Sequence, residues 1–257
     1  MKRFNCTNHL GNVRQKGLSL VELMIAMAIS VTLLAGIMQI VLSNKDTYNF
    51  QQSQSINQEN SRFAYYFVDQ VLEKAGYIQA PQNSRGAIFP SLAATTQCAL
   101  FKSGQVIANS LEGTGLCIRF QRAENGDVDC QGNDIASDAA ITTRLFFDST
   151  DNSLKCGAQG AAAVELVDNI ENMAFSYGIS NDVDEIGRSA DAYLAAPAEW
   201  DKIIAVQLSV LTSSEAESND TPQQYRFPLS ASTKTTASDK KVYRSSLKTV
   251  SLRNTVL

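Results

Sequence analysis

Four cysteines, Cys98, Cys117, Cys130 and Cys156, and one carboxylate, Glu22, are the side chains whose type and setting promise chemistry. Four thiols on the C-terminal side of a membrane-length segment suit an oxidising compartment, where they close two disulfides. Their spacing leaves all three connectivities open. No C-x-x-C occurs, which argues against zinc binding and thioredoxin-like exchange. A fifth cysteine, Cys6, and the only histidine, His9, stand near the N-terminus. The sequence has no Gly-rich phosphate loop and no nucleophile elbow. Asp127-Val-Asp129-Cys-Gln131-Gly132, with Asp138 at the twelfth place, approximates a calcium loop. It departs at Gln131, at Asp134 in the normally apolar place, at Asp138 in place of Glu, and in lacking flanking helices. It reads as an Asp- and Gly-rich turn. A second acidic stretch, Asp182, Asp184, Glu185 and Asp191, has Ile186 where a ligand is needed.

Glu22 is the only formal charge in the apolar run Leu18–Leu42. As a helix that run is about 37 Å long at roughly 1.5 Å per residue, enough to cross a hydrocarbon layer of about 30 Å. A lone carboxylate there costs roughly 2.5–3.5 kcal/mol at mid-bilayer on insertion scales, and so needs a reason. Lys2, Arg3, Arg14 and Lys16 precede the run with no acid among them. Basic flanks remain in the cytoplasm, so the C-terminal part is expected in the periplasm, behind a single inner-membrane pass. The run is longer than a signal-peptide core, and no small-x-small cleavage site closes it.

These residues have to be positioned by larger elements. No proline occurs between Leu18 and Gly76. Tyr48, Ile56, Phe63, Phe67, Val71 and Ala75 recur at steps compatible with one helical face. The pattern predicts a single helix to Gly76, which serves as its C-terminal stop. It is apolar all round through residues 18–42 and amphipathic through 43–76. Residues 77–257 read as β-rich, with strands at Leu100–Lys102, Leu116–Gln121, Thr143–Phe147, Ser153–Lys155, Val164–Val167, Ala174–Tyr177, Ile203–Leu211, Tyr225–Pro228 and Val242–Leu252. Phe147–Ser153 is a hairpin turn, while Asn181–Pro197 and Ser213–Gln224 read as exposed polar loops. Trp200 is expected as a core or edge aromatic. A long helix followed by many strands makes the fold class α+β, a stalk helix packed on an antiparallel β-rich head.

Gly17-Leu18-Ser19-Leu20-Val21-Glu22 resembles the processing and assembly signal of type IV prepilins. Further stretches are similar to PilW-type minor pilins: Gln58 to Phe63 leading to Lys74-Ala75-Gly76-Tyr77, Asp129 to Gly132, Ser153 to Cys156, Ile170 to Gly178, and Val250 to Asn254. The resemblance covers stalk and head. It implies cleavage by a prepilin peptidase after Gly17, releasing the leader 1–17, and N-methylation of Leu18, where most of the family carries Phe. It also implies that Glu22 meets the Leu18 amine of a neighbouring subunit during assembly. The disulfide pairing it favours is Cys130–Cys156, which flank the strand 143–147 and its hairpin partner and would staple that unit, together with Cys98–Cys117.

On this resemblance the chain is a minor pilin that primes pilus assembly near the fibre tip. Its partners are sister minor pilins and the major pilin through the helix, the prepilin peptidase, the inner membrane and a large tip adhesin. Rival readings are a J-type pseudopilin of type II secretion, and an adhesin or DNA-uptake receptor. Removing residues 1–17 would take away four basic residues, no acid and the only histidine. The acidic body that remains argues against direct nucleic-acid binding, and the loss of histidine argues against an enzyme with Ser-His-Asp or Cys-His chemistry. No cofactor or metal is expected.

Overall fold

The computed structural model describes residues 17–181 and 189–255. The chain divides into two units, Met1–Tyr48 and Asn49–Leu257. Residues 1–16, with Lys2, Arg3, Cys6, His9, Arg14 and Lys16, lie outside the described residues, as do Asp182, Asp184, Glu185 and Ile186. Helix α1 (Leu20–Lys74) runs for 55 residues without a break.

In the first unit the apolar side chains of α1 are exposed along its length, from Leu20 through Leu42. The few hydroxyls turn inward. Ser30 Oγ donates to Ala26 O at 2.7 Å, and Thr32 Oγ1 to Ile29 O at 2.8 Å. The helix thus satisfies its own polar groups, the condition for a segment surrounded by hydrocarbon.

In the second unit the remaining turns of α1 pack into a core shared with two antiparallel sheets. The first sheet is a meander, with strands β1 (Ile107–Asn109), β2 (Thr114–Phe120), β3 (Ile141–Asp148), β4 (Ser153–Ala158) and β5 (Val164–Val167) side by side in chain order. The second comes from β6 (Ile170–Ile179), β7 (Ala192–Leu194), β8 (Ile203–Glu217) and β11 (Lys241–Ser251), ordered β11-β8-β6-β7. A small ribbon pairs β9 (Gln224–Tyr225) with β10 (Thr235–Thr236). A short helix α2 (Arg85–Ile88) precedes β1. Alternating residues of β8, Val206, Leu208 and Val210, are sealed from solvent opposite Tyr177, Phe175 and Met173 of β6. Each such side chain contributes roughly 1.5–3 kcal/mol by leaving water.

Several expected elements are corrected. β8 continues to Glu217 because it stays paired with β11 through Tyr243 and Lys241, so the loop expected from Ser213 begins later. β7 forms inside the expected loop Asn181–Pro197, where the free edge of β6 provides ladder partners for the short exposed segment Ala192-Tyr193-Leu194. β1 and β10 also go beyond the expectation, and Leu100–Lys102 contributes only the bridge between Phe101 and Leu92. The hairpin after Asp148 closes at Asn152, whose φ of 53° suits asparagine.

The buried face of α1 follows the apolar stripe expected from periodicity at Phe67, Val71 and Ala75 but departs from it earlier in the helix. Tyr48 and Phe63 are exposed, whereas Ser53, Asn57, Ser61, Ala64, Val68, Val71, Leu72 and Ala75 are covered. Short side chains let the helix lie close to the sheet, and hydrogen bonds take the place of apolar bulk. Asn57 Nδ2 donates to Val242 O at 2.8 Å, Ser53 Oγ and Ser218 Oγ are 3.0 Å apart, and Lys248 pairs with Asp69. The helix ends where Gly76, at φ 75°, donates its N–H to Arg119 O at 2.8 Å. A Cβ there would fall 3.0 Å from Asn254 O. Asn254 Nδ2 in turn donates to Glu73 O and Ala75 O, two carbonyls of the helix end.

Candidate assembly site

Gly17, Leu18 and Ser19 precede the first turn of α1. Leu18 is 79% exposed, and open space surrounds Gly17. Ser19 is the N-terminal cap: its carbonyl accepts the Leu23 N–H at 3.2 Å, and its Oγ lies 3.4 Å from the Val21 N–H. Glu22 turns back on the same residue, its Oε2 accepting the Ser19 N–H at 3.1 Å. Ser19-Leu-Val-Glu22 therefore forms a capping box, in which a helix-start residue and the acid three places on satisfy each other's neighbourhood. The carboxylate also faces the positive end of the helix macrodipole. Ser19 was missed in the sequence, although the S-x-x-E spacing ahead of an apolar run was there to be read. The arrangement gives Glu22 a local acceptor role while leaving it at an exposed helix tip, beside the expected cleavage point.

In the second unit, Cys98 is joined to Cys117 and Cys130 to Cys156, with Cα separations of 6.0 and 6.2 Å. The first bond fixes the segment before β1 onto β2. The second ties the loop between β2 and β3 to β4. That loop is also fastened to α1, because Lys74 Nζ donates to Asp127 Oδ1 and to Val128 O, both at 2.7 Å. Burial raises the Asp127 pKa, but the hydrogen bonds from Lys74 and the Ala123 N–H outweigh it and hold the carboxyl below its usual range. Asp129 accepts the N–H groups of Gln131 and Asn133 at 2.8 and 2.9 Å, and Asp138 pairs with Arg122 at 2.6 Å. Three of the four acids of the calcium-like stretch, Asp127, Asp129 and Asp138, thus face separate protein partners. Trp200 packs on the core with its ring 4.8 Å from Tyr177.

Comparison with known proteins bears on both ends of the chain. Residues 12–38 match the family described as Prokaryotic N-terminal methylation motif. Residues 135–254 match Type IV Pilus-assembly protein W. No curated protein matches the chain. Among solved structures, a type IV-like pilin from Thermus thermophilus is similar at 14% identity with a TM-score of 0.47, over 77% of this chain and 97% of that one. A methylation-type N-terminus on a long apolar helix, followed by an antiparallel β-rich unit, defines a membrane-anchored pilin-like subunit. Within that class, residues 135–254 are similar to the PilW family of type IV pilus-assembly proteins.

Proposed function

We propose that this chain enters the inner membrane as a prepilin with its β-rich unit in the periplasm, loses residues 1–17, and joins sister minor pilins in a complex that primes pilus assembly and stays near the fibre tip. The observation that carries this reading is the first half of α1: it is apolar on every side, fully uncovered, and bears one acid at its tip. Such a surface needs lipid or other apolar helices around it. Once the leader is gone, the methylated Leu18 amine is the cation nearest to that acid, and pairing with Glu22 of a neighbour offsets the cost of burying both charges. The PilW match supports pilus assembly over secretion as the destination.

The test is mass spectrometry of the N-terminus, with and without the cell's prepilin peptidase. The expected result is a chain starting at N-methylated Leu18 when the peptidase is present and at Met1 when it is absent. An intact Met1 in pili or membranes of peptidase-positive cells overturns the proposal.

A further inference from the structure

Arg119 sits on β2, away from the sites described so far, and is only 4% exposed. A buried guanidinium normally has a carboxylate beside it. Among the described residues no carboxylate is within ion-pair distance of Arg119, and the one hydrogen bond of its guanidinium to them runs from Nη1 to Pro90 O at 2.7 Å. Its Cζ stands over the Phe89 and Phe101 rings, 5.4 Å from each centroid. Apart from the Pro90 bond, the N–H groups of the guanidinium have no protein acceptor among the described residues. Burial lowers the Arg119 pKa with no acid to oppose the effect.

Arg119 also lines an open cleft of about 730 Å³ between the Ala87–Leu92 segment and the ends of β2, β3 and β4. It is the only charged residue on that lining. Thr142 and Gln159 provide neutral hydrogen-bonding groups, and Ile88, Leu92 and Ala139 provide aliphatic walls. The cleft has the size of a site for a small ligand or a short stretch of peptide. One cation with no second base matches a single negative charge, so a carboxylate fits better than a doubly charged phosphate. Small aliphatic walls with a hydroxyl and an amide match a peptide backbone bearing short side chains.

We propose that this cleft binds a carboxylate carried on a short, small-residue peptide segment of a partner protein, with Arg119 holding the carboxylate through its free N–H edge. The site goes beyond the assembly helix and does not require it to be packed in a fibre. Its failure is therefore separate from a failure of the pilin reading.

The experiment uses the full processed chain in detergent micelles, titrated calorimetrically with N-acetyl-trialanine, with its C-terminal amide, and with inorganic phosphate. The acid is expected to bind at least about tenfold more tightly than the amide, the scale of a charge-assisted hydrogen bond. Arg119→Gln removes that preference. Because Arg119 also supports Phe89 and Phe101, Ala139→Trp is the companion variant, since it fills the cleft while leaving the guanidinium in place; it is expected to weaken the acid at least about tenfold. Equal binding of acid and amide, no binding of either, unchanged binding by Ala139→Trp, or tighter binding of phosphate than of the acid each overturns the assignment.

Discussion

Glu22→Gln separates the two tasks assigned to one side chain. The amide oxygen still accepts the Ser19 N–H, a bond of 3.1 Å in the free chain, so the start of α1 persists. What disappears is the negative charge offered to a neighbour's Leu18 amine. Two unit charges about 4 Å apart at an effective dielectric near 20 attract by roughly 4 kcal/mol. If desolvation cancels half of that, about 2 kcal/mol remains, or roughly a thirtyfold change in the assembly equilibrium. Ser19→Ala provides the contrast. It removes a hydroxyl whose contact with the Val21 N–H is 3.4 Å, for about 0.5–1 kcal/mol of helix-start stability. The assay compares leader removal in membranes with the amount of each variant in sheared pili. Glu22→Gln is expected to be trimmed normally and depleted from fibres by at least about tenfold, while Ser19→Ala stays within about threefold of wild type. Normal trimming together with normal incorporation of Glu22→Gln refutes the ion pair and leaves the capping role alone.

The face of α1 that meets the sheet is tested by adjacent residues. Ala64→Leu forces extra volume into a sealed contact and should cost about 1–3 kcal/mol, whereas exposed Phe63→Ser should stay within about 0.5 kcal/mol; denaturant melts of the two variants distinguish them. Replacing Cys130 and Cys156 by Ser opens a loop of sequence separation 26 and should lower stability by about 3.5 kcal/mol on the chain-entropy account, read from the midpoint shift under non-reducing conditions. The Asp127 pKa is depressed in the folded chain, so its contribution is present above the ordinary carboxyl range and is lost as pH falls through the folded value. Acid titration should therefore show Lys74→Met losing less stability than wild type below about pH 4.

Much of the architecture was legible in the residues. The absence of proline up to Gly76 marked one long helix, and its stop was readable because only glycine sits comfortably at φ 75° in contact with Asn254. The strand centres were visible as β-branched and apolar runs. Their lengths were not, because β8 is extended by pairing with β11, information held by residues about thirty places away. The helical face was misread over Tyr48 to Phe63, though not at Phe67, Val71 and Ala75, for a related reason. Periodicity follows apolar bulk, whereas this seam is built from Ser53, Asn57, Ser61 and Ala64, which become informative only when a sheet edge such as Val242 comes within hydrogen-bonding reach. At the site, Gly17, Leu18 and Glu22 stood out by type and spacing, while Ser19 did not, since serine in an apolar run attracts little notice. Cysteine spacing could not choose among three pairings. The placing of Arg119 against two rings, Phe89 and Phe101, contributed by a distant segment left no local signal at all.

The polar seam has a mechanical consequence. Two surfaces joined by greasy contact can slide past each other while keeping most of their attraction. The pairs Asn57 with Val242, Ser53 with Ser218 and Asp69 with Lys248 are lost within an ångström or so of axial displacement. A pull along the helix axis against the sheet would therefore meet resistance as from a latch, stiff up to a threshold and then yielding in one step.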